Sequence, residues 1–440
     1  MFGDQPRRRA WWSSWTVLTL VTVAVVLGWD DRSTPEHVRP EPTAVVASER
    51  SERVRTTLAT LENAWDTRDR AAFLTAAHPS EPSQVWAQDA FDALVTLDVD
   101  EIGLRYVADR DTDDTDAADG APGEFEADVA VTWQPGRPPD PGYRTASVTV
   151  SMRLADRADD VVVLGLAPGA LSVGPDGGAL PLWLTGELVE SGTRQASCLG
   201  IETDPQEIVC GRLTQVALGE LAAVLPTELR TRTGTLLMVL PATVEQAAAV
   251  LGRNPLALTR VAGVSSTVDA SGAPDAPQLV VLNPDRFLPL ARDERQFVAT
   301  HESVHVATGA AGVVLPVWVA EGFADYVALR SGRIPPAQAA EQALERVRRV
   351  GPPRWLPRDG DFASGRWRLG EAYQQAWSAF WLLGERYGAD AVVVFYTAVL
   401  DGAPVGRALE DAFGIDRAEL TSTWRHALVR QAGRSAATAR

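Results

Sequence analysis

The segment Thr300-His301-Glu302-Ser303-Val304-His305 constrains this chain more than any other. Histidines four residues apart lie on one face of a helix, one turn from each other. That spacing lets His301 and His305 aim two imidazoles at a single zinc ion, at about 2.0–2.1 Å. Glu302 is adjacent to the first histidine, where its carboxylate can reach a metal-bound water without ligating the metal. The helix is plausible in its own right. Asp293 with Gln296 reads as a capping box, Phe297, Val298 and Val304 supply buried contacts, and Gly309 is a natural stop. The bland alternative is a pair of helix histidines packed in a core.

The continuation favours the metal. Pro316-Val317-Trp318-Val319-Ala320-Glu321-Gly322-Phe323-Ala324-Asp325-Tyr326 reads as a second helix after a short connection. Glu321 follows His305 by 16 residues, enough for a turn and an antiparallel return. It can supply a third ligand and leave the fourth position to water. Asp325, one turn further on, can accept the free N–H of a ligating histidine and fix its tautomer. Taken alone, Glu321 would read as an exposed helix glutamate, but its apolar neighbours argue against exposure.

His301-Glu302-Ser303-Val304-His305 with Glu321-Gly322-Phe323-Ala324-Asp325 resembles the gluzincin metallopeptidases, specifically the bacterial peptidase MA-like group. The likeness continues through Tyr373-Gln374-Gln375-Ala376-Trp377, Arg386-Tyr387-Gly388, Asp401-Gly402, Phe413-Gly414, Leu420 and Trp424, and covers about residues 210–430. The resemblance implies one zinc ion, ligands His301, His305 and Glu321, Glu302 as general base, and Asp325 behind the histidine. It also implies a tyrosine or histidine on a later helix as oxyanion donor. Tyr373 is the nearest match, with a core tyrosine as the alternative. The implied partner is a peptide or protein substrate. The apolar run Gln278–Leu282, just before the zinc helix, is a candidate edge strand for an extended peptide.

The N-terminus suggests where such a protein would work. Arg7, Arg8 and Arg9 precede an apolar run from Ala10 to Trp29, which Asp30-Asp31-Arg32 ends. About 20 such residues cross a ~30 Å hydrocarbon core, and the arginines should stay cytoplasmic. The expectation is a single-pass anchor in a bacterial cell membrane, with the N-terminus inside and the catalytic part outside. A cleaved signal peptide is the alternative. The two cysteines, Cys198 and Cys210, flank a turn signal at Asp204-Pro205. A disulfide suits an exported protein, although two buried thiols would also fit.

Charge narrows the partners. The 41 basic residues are all arginine and stand against 58 acids, giving −17. A chain so acidic is a poor nucleic-acid binder.

Before the metal motif the period changes. Val54, Leu58, Leu61 and Trp65 form one helical stripe, and a short helix could run through Phe73 and Leu74. Alternation with a period of two follows in Phe125–Trp133 and Ala146–Met152, and Val161–Leu166 is a third apolar strand. Asp109–Gly123 reads as a solvated loop. This order is similar to the nuclear transport factor two-like cone fold, whose members include enzymes and inert binding modules. No His-Asp pair argues for catalysis here.

The expected fold class is α+β: a membrane anchor helix, then a helix-plus-curved-sheet cone-like domain, then a gluzincin domain with a small β-sheet and a mostly helical C-terminal half. The expected boundaries are a tail and anchor at 1–32, a linker at 33–44, the cone-like domain at 45–166, a linker at 167–180, the peptidase-like domain at 181–430 and a tail at 431–440. Within the second domain, strands are expected near Leu182–Leu188 and Leu236–Leu240, with a helix around Gln215–Val224 between them. The leading expectation is a membrane-anchored zinc peptidase. An inactive peptidase-like protein, or a binding module with a structural zinc, is the alternative.

Overall fold

The computed structural model describes residues 49–438, apart from 111–122, 135–144, 159, 168–178, 202–209, 231–234 and 364–367. Its first unit begins with α1 (Glu49–Asp66), α2 (Arg70–Thr75) and α3 (Glu81–Thr96). The stripe Val54, Leu58, Leu61 and Trp65 is buried along α1. Four antiparallel strands follow: β1 (Ile102–Asp109), β2 (Glu124–Trp133), β3 (Ala146–Arg157) and β4 (Asp160–Leu166), paired in chain order. Val129, Val131, Val150, Met152 and Leu154 turn the inner face of this sheet onto the helices. β1 and α3 are additions to the sequence reading. Half of the buried positions of α3 are alanine, beside Ser83, Phe91 and Leu94, so its apolar stripe is faint.

The second unit is built on a five-stranded mixed sheet in the order β5-β6-β7-β9-β8. Its strands are β5 (Leu188–Thr193), β6 (Ala196–Ile201), β7 (Leu236–Pro241), β8 (Gly263–Thr267) and β9 (Gln278–Leu282). β6, β7 and β9 run parallel, while β5 and β8 pair antiparallel at the two edges. Three readings are corrected. Leu182–Leu184 is a 3-10 turn, and the strand starts at Leu188. β5, β6 and β8 enlarge the sheet. β9 is an interior strand, and the edge beside it is β8.

Alternation sorts the two faces of this sheet. Cys198, Met238, Leu240, Val280 and Leu282 face the large helical core. Leu199, Ile201, Val239, Leu279 and Val281 face the other way, onto Leu182 and α5 (Val244–Val250). On the helical side lie α4 (Cys210–Ala222), α6 (Arg292–Thr308), α7 (Val317–Leu329), α8 (Glu341–Val350), α9 (Leu369–Tyr387), α10 (Ala389–Leu400), α11 (Val405–Phe413) and α12 (Arg417–Thr438). Cys198 in β6 and Cys210 at the start of α4 form a disulfide, with Cα atoms 5.8 Å apart. The expected turn at Asp204-Pro205 lies outside the described residues. The two units share a seam: Leu180, Trp183, Leu184 and Ala249 pack into the core of the first.

The expected fold class needs correction at its first element. Among the described residues no helix is long and apolar enough to cross a membrane. The segment 10–29 expected to do so lies outside the described residues, as does the 33–44 linker. The architecture is α+β, with two sheets and many helices.

Candidate metal centre

The histidine helix is not amphipathic, and that is the first clue to its role. Every residue of α6 from Gln296 to Thr308 is buried. α7 is buried along its whole length. Helices apolar or buried all round belong at the centre of a domain, and this pair lies there, between the sheet, α4 and α9. At its N-terminus, the Glu294 carboxylate accepts the Ala291 N–H at 2.9 Å. The cap therefore comes from Glu294 rather than from the expected Asp293–Gln296 pair. Gln296 donates instead to the Leu213 carbonyl of α4 and to Thr300 Oγ1, both at 3.1 Å. The helix ends at Gly309, whose φ of 73° is left-handed.

Two glycines set how close the neighbours come. A Cβ on Gly322 would meet the Ala376 backbone at 2.9 Å, so its absence lets α7 lie against α9. A Cβ on Gly263 would sit 3.0 Å from Glu302 Cγ, so β8 runs directly over the glutamate.

The close packing brings donor atoms together. His301 Nε2 and His305 Nε2 are 3.1 Å apart. Glu321 Oε2 lies 3.2 Å from the first and 3.7 Å from the second. A tetrahedral ion with arms of 2.0–2.1 Å needs ligand atoms about 3.3 Å apart. The three donors therefore form one face of such a polyhedron, and a buried His301, His305 and Glu321 cluster could hold a metal ion. His301 Nδ1 is 2.8 Å from Asp325 Oδ1. That carboxylate fixes the ring so that Nε2 is the free nitrogen.

Orphaned polar atoms test whether the residues suit an ion. His301, Glu302, His305 and Glu321 are all 0% exposed. Yet both oxygens of Glu302, both of Glu321 and Nδ1 of His305 have no hydrogen-bond partner. Glu321 Oε2 approaches the two imidazoles without the alignment of a hydrogen bond. Unpartnered buried carboxylates are costly, and a cation held with the two imidazoles would satisfy the Glu321 carboxylate. Electrostatics agree. Burial disfavours a charged His301, but the carboxylates of Asp325, hydrogen-bonded to Nδ1, and of Glu321, beside Nε2, outweigh it and push the imidazole up to about 10. The negative field that retains a proton there would equally retain a metal cation, which must displace that proton.

Glu302 stands apart from the three ligands. Burial pushes its carboxyl up, against the pull of His301, His305 and the Ser265 hydroxyl. Ser265 shares the face of β8 that carries Gly263 over Glu302, and its own hydroxyl is buried without a geometric partner. Reading the sequence alone misses this residue. Its only signal is its place two residues after a glycine in a short strand. Tyr373 sits in α9, buried, with its ring edge-on to Phe362 at 5.1 Å. The hydroxyl of another tyrosine, Tyr396, reaches the end of the histidine helix, 3.0 Å from Thr308 Oγ1.

No protein-family model, curated protein or solved structure matches this chain.

Proposed function

We propose that the chain is a zinc-dependent peptidase acting outside the cytoplasm. The observation that carries this reading is the convergence of His301 Nε2, His305 Nε2 and Glu321 Oε2, with a second unpartnered carboxylate, Glu302, one residue from His301. Two neutral nitrogens and one carboxylate suit zinc with an open position. Zinc bound there would acidify water and polarise a scissile carbonyl. Asp325 holds His301 in the tautomer that presents Nε2. Glu302, offering two free oxygens, takes the proton of the attacking water and passes it to the departing amine. Water and a peptide bond thus become a carboxylic acid and an amine.

The edge strand β8 offers its backbone to an extended peptide, and Gly263 and Ser265 put that edge over Glu302. Tyr373 would supply the oxyanion donor. Loss of turnover in Tyr373→Phe at unchanged zinc content would carry it. The Cys198–Cys210 disulfide supports an oxidising compartment.

The complete burial of all four side chains favours one second reading, a catalytically inactive relative that keeps the ion for structure. Incubation of the full-length chain with a broad peptide library, with and without a chelator, separates the two. Chelator-sensitive cleavage supports the peptidase. A zinc-loaded protein that cleaves nothing supports the inactive relative.

A further inference from the structure

Between Arg346 and Arg368 the chain carries seven arginines against two acids, Asp359 and Asp361, a local balance of +5. With the whole chain at −17, everything outside this segment sums to −22. The fold gathers Arg346, Arg354, Arg358 and Arg368 around one pocket of about 380 Å³. Two of them are occupied. Arg346 and Arg368 point their Nε atoms at Glu371, at 3.4 and 3.9 Å. The other two are not. Arg354 and Arg358 make no ion pair among the described residues, and instead flank the Trp355 ring at 5.0 and 5.8 Å. Trp355 is 54% exposed, whereas Trp65, Trp183, Trp318, Trp377 and Trp424 are buried.

The segment that lines the pocket is tied to the helix that carries Glu321. Asp359, next to Arg358, accepts the Val317 N–H that opens α7, at 3.0 Å. Val317 precedes Glu321 by one helical turn, about 6 Å of rise.

We propose that this pocket receives an acidic side chain of the peptide substrate, with Arg354 and Arg358 pairing its carboxylate and Trp355 covering its stem. The proposal rests on the peptidase reading and adds the class of substrate. Two guanidiniums without an ion pair among the described residues match one carboxylate. Asp361 and Glu371 in the same wall disfavour a densely charged polymer, which makes a single acidic residue the better occupant. An exposed aromatic between cations offers an apolar platform for the methylenes of Glu or Asp.

The test uses the full-length chain carrying Glu302→Gln, so that binding is read without turnover. Fluorescence anisotropy compares a labelled peptide rich in Asp and Glu with its Asn and Gln counterpart. The acidic peptide should bind about three- to tenfold tighter at low salt, and the difference should shrink as salt rises. Arg354→Gln with Arg358→Gln should erase the difference while zinc content stays unchanged. Equal affinity for the two peptides, or a preference that survives the double variant, overturns the proposal. So does a double variant that loses only the binding of polyphosphate or of phosphatidylglycerol vesicles, which would mark a surface for anionic polymers or lipid. A chain that binds acidic peptides through these arginines but cleaves none keeps the pocket and loses the peptidase. One that cleaves acidic and neutral peptides alike does the reverse.

Discussion

The two units solve the same packing problem with different chemistry. In the first, among the described residues up to Leu166, the only buried polar side chains are Ser51, Thr57 and Ser83, and no charged residue is buried. Thr57 and Ser83 satisfy themselves on backbone carbonyls of Val161 and Leu164. The second unit buries His301, Glu302, His305, Glu321 and Asp325 within two neighbouring helices. Removing a charge from water costs several kcal/mol per ion even after relaxation. A fold that needed only stability would fill those positions as the first unit does, with Val, Leu and aromatic side chains. Perturbed, buried ionisable groups gathered at one point are a mark of function, and only the second unit has them.

That contrast breaks first at the metal ligands. His305→Ala and Glu321→Ala should each abolish stoichiometric zinc and, with it, hydrolysis, read by metal analysis and peptide cleavage of the same preparations. Retention of zinc by either variant would mean that the ion sits elsewhere. A core truncation in the first unit should do the opposite. Leu58 is fully buried in α1, so Leu58→Ala should lower stability by about 2–5 kcal/mol and leave zinc per folded molecule unchanged. Chemical denaturation with parallel metal analysis checks this, and zinc loss at full folding would show that the two units are coupled. Asp325→Asn should have a smaller effect. An amide can still face His301 Nδ1 but no longer supplies the charge, so zinc affinity should fall about 10- to 100-fold. A chelator competition curve that does not move would reduce Asp325 to a packing residue.

How much of this is legible in the sequence differs between helix and sheet. The histidine helix announces itself because its chemistry and its period are local: four residues separate His301 from His305, and four separate Glu321 from Asp325. The N-terminal cap is displaced by two residues, with Ala291 in place of Asp293 as the first cap position and Glu294 in place of Gln296 as the acceptor three residues on. The sheet is harder to read. Gln278–Leu282 is the most apolar run near the motif, which makes it look like the exposed partner strand. It is apolar because it is interior, flanked on both sides by β7 and β8. The true edge, Gly263–Thr267, is short, with glycine, serines and threonine that mimic a loop. Strand order depends on contacts between distant segments, and spacing carries no record of it. The arginine pocket is a different omission. Its residues stand close together in the sequence, but their charge is hidden in a chain whose overall balance is strongly acidic.

Glu302, as proposed, is the base of a hydrolytic site and not one more structural carboxylate beside Glu321 and Asp325. Glu302→Gln isolates it, since the amide keeps the shape but cannot accept the proton of water. Zinc content and peptide hydrolysis are measured on the variant and the wild type side by side. Zinc near one per chain in both, with hydrolysis reduced at least about a hundredfold in the variant, is the result expected. Equal hydrolysis by the two proteins, or a zinc-loaded wild type that hydrolyses nothing, would contradict it.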